Sequence, residues 1–107
     1  MTKRRHYGFW TMKIEYNEQF LKDMKKLRHT AVYSFLKTLC FEELPVCENL
    51  SKIGNIKKIQ GYKSYYRIKA GDYRIGIKDE GGTVVLMRVL HRKDIYRVFP
   101  PSKQKNL

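Results

Sequence analysis

An α+β domain is predicted by the order in which two periodicities follow one another along the chain. Apolar residues alternate at 12–16, recur at helical spacing from 18 to about 44, and alternate again from Ile56 to Leu90. Helical residues gathered into one block, ahead of a meander of three or four strands, place helices on one face of a mostly antiparallel sheet.

The elements follow in order. Met12, Ile14 and Tyr16 alternate with Lys13 and Glu15, the period of a half-buried strand. Asn17 is a candidate N-cap, because its side chain can accept from first-turn N–H groups. Phe20, Leu21, Met24 and Leu27 then give an apolar stripe with lysines opposite, predicting a helix over 18–28. Thr30 is a second candidate cap, ahead of a stripe of Val32, Phe35, Leu36, Leu39 and Cys40 that is expected to end before Pro45. Two helices in a hairpin result.

From Ile56 the period is that of strands. Tyr66, Ile68 and Ala70 alternate with Arg67 and Lys69; Gly71-Asp72 turns the chain; Tyr73, Ile75 and Ile77 alternate with Arg74 and Lys78. Asp79-Glu80-Gly81-Gly82 makes a second turn, and Thr83 to Leu90 is apolar on both faces apart from Arg88, as in a central strand. Alternation puts Arg67, Lys69, Arg74 and Lys78 together on the face away from the helices, which is expected to remain open. A short helix is expected to begin within Asp94 to Phe99.

The 107 residues suit one domain at 12–100, with an N-terminal extension at 1–11 and a tail at 101–107. No apolar run approaches the ~18 residues of a membrane span, and residues 1–11 lack the apolar stretch of a secretory signal. Cys40 and Cys47 are two thiols without metal-ligand neighbours, read as reduced cysteines of a cytoplasmic protein. The net charge of +13 is uneven. Residues 51–107 hold 14 Lys and Arg against 4 acids, a net of +10, which leaves +3 for residues 1–50. A domain this basic on one side favours a polyanionic partner, nucleic acid first.

The chemistry-bearing residues cluster after the last strand. His91-Arg92-Lys93-Asp94-Ile95-Tyr96-Arg97 offers an imidazole, a phenol and three fixed cations, and helical spacing would pair Arg92 with Tyr96 and Lys93 with Arg97. Arg88, inside an apolar strand, has two readings: it lines the same groove, or it is structural and bonded to backbone carbonyls or an acid such as Glu15. RNA is cleaved when its 2′-OH attacks the adjacent phosphate, so arginines and one or two proton carriers suffice. Acid clusters for a two-metal mechanism are missing, and no metal or cofactor is predicted. Tyr62, Tyr65, Tyr66 and Tyr73 are read as sheet and core residues or as stacking faces for bases.

The stretch YYRIKAGDYRIGIKDEGGTVVLMRVLHRKDIYRVFP at 65–100 resembles the C-terminal half of RelE/ParE superfamily toxins. Its G-D-Y-R turn carries Arg74, and its H-R-x-x-x-Y ending carries His91, Arg92 and Tyr96. The opening MKIEYNEQFLKDMKKL resembles the family's start, so the likeness covers residues 12 to 100.

The resemblance implies a type II toxin that cleaves messenger RNA on the ribosome and forms a hetero-oligomer with a cognate antitoxin, whose acidic or amphipathic segment would cover the basic groove. In that reading Arg74 holds the scissile phosphate and Arg92 stabilises the developing charge. Tyr96 stacks on a base or transfers a proton, and His91 is a candidate acid or base. Arg67, Lys69, Lys63, Arg88, Lys93 and Arg97 are candidate RNA contacts. The alternative within the superfamily is a ParE-like gyrase inhibitor without nuclease activity; Tyr96 favours the ribonuclease. Departures are the spacing of Lys63, Arg67 and Lys69 before the turn, and residues 1–11, which precede the family's usual start.

Overall fold

The computed structural model describes residues 12–101; the N-terminal extension at 1–11 and all of the tail but Pro101 lie outside the described residues. Five strands form one sheet: β1 (Lys13–Tyr16), β2 (Ile56–Lys58), β3 (Tyr65–Ala70), β4 (Tyr73–Glu80) and β5 (Thr83–His91), in the order β1-β5-β4-β3-β2. The meander β2 to β5 is antiparallel, and β1 joins the other side of β5 in parallel. The strand expected to be central is therefore flanked on both edges.

Helix α1 (Glu18–Lys26) starts at Asn17, whose side chain accepts from the Gln19 N–H at 2.8 Å. It sends Phe20 and Met24 into a core with Ile68, Ile75, Ile77, Val84, Leu86 and Val89. Burying each such side chain is worth about 1.5–3 kcal/mol. Helix α2 (Tyr33–Thr38) adds Leu36.

The second helical segment departs from expectation in three ways. Val32 precedes it as its cap residue, while the Thr30 hydroxyl donates to the Leu27 carbonyl at 2.7 Å, back toward α1. Phe35 is 55% exposed, so the apolar stripe is not wholly buried. Nor does the chain stop before Pro45: a π-turn at Leu39–Glu43, closed by the Leu44 N–H on the Leu39 carbonyl, leads into a 3-10 turn at Leu44–Val46. Proline lacks the N–H that an α-helix would use there, and the wider turn carries the chain past it with Leu44 buried.

The face away from the helices is not fully open. After β5 the chain turns, passes through a single 3-10 turn at Ile95–Arg97, and folds back over the sheet. Phe99 lies against Gly76 so closely that a Cβ at Gly76 would be 2.5 Å from its ring. Tyr65 meets Phe99 edge-on at 5.4 Å, Tyr62 meets Tyr65 at 5.5 Å, and the Tyr62 hydroxyl donates to the Pro101 carbonyl at 3.4 Å. Ile95 and Phe99 are buried, yet both stand outside the main core cluster. This strap, residues 95–101, forms a small second core. The expected helix shrinks to one turn, so no helical face pairs Arg92 with Tyr96 or Lys93 with Arg97.

The strand β5 also breaks its own alternation. Gly76 faces Arg88 while Ile77 faces Leu86, leaving Met87 as an extra residue, a β-bulge. A one-residue slip moves every later side chain to the other face. Val89 thus takes the core position after Leu86, and Leu90, which unbroken alternation would put on the face of Val84 and Leu86, stands opposite Arg74 instead.

Candidate active site

The Gly71-Asp72 turn between β3 and β4 organises the cations. Gly71 adopts φ +63°, a conformation that favours glycine. Arg74 folds over the turn, its Nη1 donating to the Gly71 carbonyl at 2.8 Å and to the Tyr73 carbonyl at 3.0 Å. Arg92 reaches the same turn from the end of β5. Its backbone N–H donates to the Asp72 carbonyl at 2.7 Å, and its Nε lies 3.5 Å from Asp72 Oδ1. Both partners of that ion pair are more than half exposed, so the pair is weak and leaves the guanidinium available. Two arginines 18 positions apart in sequence thereby share one anchor.

His91 sits differently. It faces Tyr73 across the strands, edge-on at 5.5 Å, whereas Arg74 faces Leu90. Alternation therefore assigns His91 and Arg74 to opposite faces of the sheet. The His91 Nδ1 accepts from the Lys93 N–H at 3.1 Å. In its neutral form the ring then carries its proton on Nε2, which makes it a donor rather than a base.

Tyr96 is 53% exposed between two fully buried anchors, Ile95 and Phe99. Among the described residues no hydrogen bond or ring contact holds its phenol, which is free to meet a ligand. Arg97 lies 4.0 Å from Asp94, both largely exposed, and Lys93 is exposed nearby. Lys63 is exposed in the loop before β3. On β3, Lys69 stands opposite Arg74, and Arg67 is half-buried opposite Gly76.

Of the two readings for Arg88, the geometry is that of the structural one, with Asp23 of α1 rather than Glu15 as partner. The guanidinium donates to both Asp23 oxygens at 2.8 and 3.1 Å, and the Val89 N–H donates to Oδ2 at 3.1 Å. Asp23 is 2% exposed. Arg88 is thus bound under the helix and withdrawn from the candidate RNA contacts. Asp23 was legible in principle: an acid within the Phe20–Met24–Leu27 stripe and a lone arginine in an apolar strand each call for a buried partner. Gly76 and Phe99 carried no comparable local signal.

Among the described residues no group of three or more His, Cys, Asp or Glu side chains is arranged to hold a metal ion, and no helix is long and apolar enough to cross a membrane. The site can bind an anion between fixed cations, and it offers the Tyr96 phenol as a proton donor; the His91 imidazole is on the other face of the sheet.

The comparisons with known proteins agree with this architecture. Residues 14–96 match the model of the ParE toxin of the type II toxin–antitoxin system parDE. The chain is 43% identical over 93 residues to toxin RelE3 of Methanocaldococcus jannaschii, a match that covers 83% of this chain and all of the relative. It is also similar to the RelB-RelE antitoxin–toxin complex from Methanococcus jannaschii, with 41% identity, a TM-score of 0.64, and coverage of 80% of this chain and 99% of that one. The DinJ-YafQ complex of E. coli shares the fold at 22% identity and a TM-score of 0.54, covering 83% and 99% of the two chains. Because the family model spans most of the domain and a relative is matched along its whole length, the chain belongs to the RelE/ParE toxin family of type II toxin–antitoxin systems.

Proposed function

We propose that this toxin is a metal-independent endoribonuclease that acts in the cytoplasm on messenger RNA engaged with the ribosome, and that a cognate antitoxin holds it inactive. The observation that carries the reading is the anchoring of Arg74 and Arg92 on one turn, with the exposed phenol of Tyr96 four residues beyond Arg92.

In the proposed reaction the 2′-oxygen of a ribose passes its proton to a solvent water as it attacks the adjacent phosphorus, the bond from phosphorus to the 5′-oxygen breaks, and the 5′-oxygen takes up a proton. The products are a 2′,3′-cyclic phosphate and a free 5′-hydroxyl. Arg74 and Arg92 neutralise the charge that builds on the phosphorane, and because their positions are set beforehand little reorganisation is needed as the reaction proceeds. Tyr96 supplies the proton to the leaving oxygen or a stacking face for a base, while His91, on the opposite face from Arg74, is left out of the proposed proton transfer. Lys63, Lys69, Lys93 and Arg97 hold flanking phosphates. A net charge of +13 is self-repelling, so an antitoxin segment of opposite charge is the natural cover for the groove. The similar RelB-RelE complex is an antitoxin bound to its toxin.

The test is to induce the parent chain and an Arg74→Ala/Tyr96→Phe variant in cells and map new messenger RNA 5′ ends, with folding checked by circular dichroism. New cuts inside translated regions, reduced at least about a hundredfold in the variant, are expected. The ParE family match favours one other reading, inhibition of gyrase. Intact transcripts together with DNA-damage signalling would establish that reading instead.

A further inference from the structure

The face that carries the two arginines has three cross-strand rows, and only one of them is electrically compensated. Tyr65 stands opposite Lys78, whose ammonium is 3.0 Å from Glu80. In the next row Lys57 of the edge strand β2 stands directly opposite Arg67 of β3, followed by Gly76. In the third, Lys69 of β3 stands directly opposite Arg74 of β4. Like charges placed directly opposite destabilise a sheet. Ion pairs form elsewhere, at Lys13, Lys78, Arg88, Arg92 and Arg97; among the described residues none forms at Lys57, Arg67, Lys69 or Arg74. Two repelling pairs stand side by side where an acid at any of four positions would relieve them.

We propose that the Lys57–Arg67 row is a second phosphate subsite, which carries the RNA strand from the Lys69–Arg74 row toward the β2 edge. The inference rests on the ribonuclease reading and adds Lys57, on a strand that holds none of the proposed catalytic groups. The two rows are two residues apart along β3, roughly 7 Å, a separation that successive phosphates of one strand can bridge. The compensated Tyr65–Lys78 row lies beyond, and Phe99, set over Gly76 and edge-on to Tyr65, closes the β4 side of the Lys57–Arg67 row, so that this row is open on its β2 side. The free sheet edge at β2 is the open way out.

Full-length parent, Lys57→Gln and, as a control, Lys13→Gln, whose lysine lies on the opposite edge strand, are titrated with a single-stranded oligoribonucleotide 2′-O-methylated throughout, so that it cannot be cleaved. Binding is followed by anisotropy across a salt series. One phosphate contact on a single strand corresponds to a slope of about 0.7 in log K against log salt, or about fivefold in affinity at 0.1 M salt. Lys57→Gln is expected to lose that slope and affinity, Lys13→Gln to lose neither, and the free Lys57→Gln protein to show a higher urea midpoint because one repulsion is gone.

An unchanged slope in Lys57→Gln, or an equal loss in both variants, overturns the subsite. Messenger RNA cleavage by the parent in cells then shows whether the ribonuclease reading survives on its own. A slope lost only on an acidic peptide, and not on RNA, would make the row a protein-docking surface and likewise overturn the proposal.

Discussion

On one face of the sheet, Ile68, Ile75, Ile77, Val84, Leu86 and Val89 meet Phe20, Met24 and Leu36 of the helices, and the single charge taken into that layer, Asp23, is met by Arg88 and the Val89 N–H. On the other face, alternate residues of the same strands put Lys57 against Arg67 and Lys69 against Arg74 with no acid between them, and only a short strap from Ile95 to Pro101 covers part of the surface. The first face satisfies its polar groups internally. Among the described residues the second leaves Lys57, Arg67, Lys69 and Arg74 without an ion pair. Repulsion that a folding sequence would remove is kept on the face proposed to bind RNA, and in that reading stability and function are separated between the two sides of one sheet.

Breaking the helix side should have the largest effect on the fold. Asp23→Ala leaves the Arg88 guanidinium without its partner under α1 and is expected to cost about 3–5 kcal/mol in denaturant unfolding. Replacing both residues with well-packed apolar ones should recover much of it. A loss below about 1 kcal/mol would mean that the pair is solvated and does not tie α1 to the bulge.

The strap is the smaller target. Gly76→Ala forces a methyl group into the Phe99 ring and should cost about 1–3 kcal/mol. Its sharper signature is local: chymotrypsin should cut after Tyr96 faster than in the parent, while the helix-side core stays protected. Phe99→Leu in the same chain should slow that cleavage again by making room. Equal cutting rates in parent and Gly76→Ala would remove the strap from the account of how Tyr96 is presented.

A pH series probes the helix side without mutation. Burial pushes the Cys40 thiol up to about 12, and burial with the neighbouring Cys40 does the same to the Tyr16 phenol, whose hydroxyl donates to the Cys40 carbonyl at 2.7 Å. Both groups hold their protons more tightly in the folded chain than in the unfolded one. From about pH 9 upward the unfolded chain therefore releases protons that the folded chain keeps, and stability falls as pH rises. The slope should approach about 1.4 kcal/mol per pH unit for each group past its unfolded pKa. Urea midpoints at pH 7, 9 and 10.5 measure it, and Cys40→Ala should flatten the part that begins near pH 9.

The smallest effect belongs to the cationic face. Lys69→Gln removes one repulsion opposite Arg74 and should stabilise the free protein by about 0.2–1 kcal/mol while weakening RNA binding. Destabilisation there would show that the lysine packs as part of the fold, and the contrast between the faces would narrow.

Reading the chain residue by residue is enough for whatever depends on near neighbours. Alternation places Arg67, Lys69, Arg74 and Lys78 on one face, Asn17 is visible as a cap, and Gly71-Asp72 is visible as a turn, though not as the place where Arg92 joins Arg74. Helical spacing shows α1, because Phe20, Met24 and Leu27 recur over consecutive turns. The G-D-Y-R and H-R-x-x-x-Y motifs carry the family in the same way, since each is a short run of letters.

What the tertiary structure alone decided lies between residues far apart. Asp23 and Arg88 are 65 positions from one another, and their union goes with a bulge at Met87 that exchanges the faces of Val89 and Leu90. Phe99 reaches back to Gly76, and Lys57 joins Arg67 only once β2 has chosen its register. The difference has a physical basis: local patterns state which side of an element is apolar, whereas which charge neutralises which, and which is left bare, depends on how distant elements are brought together in the folded chain.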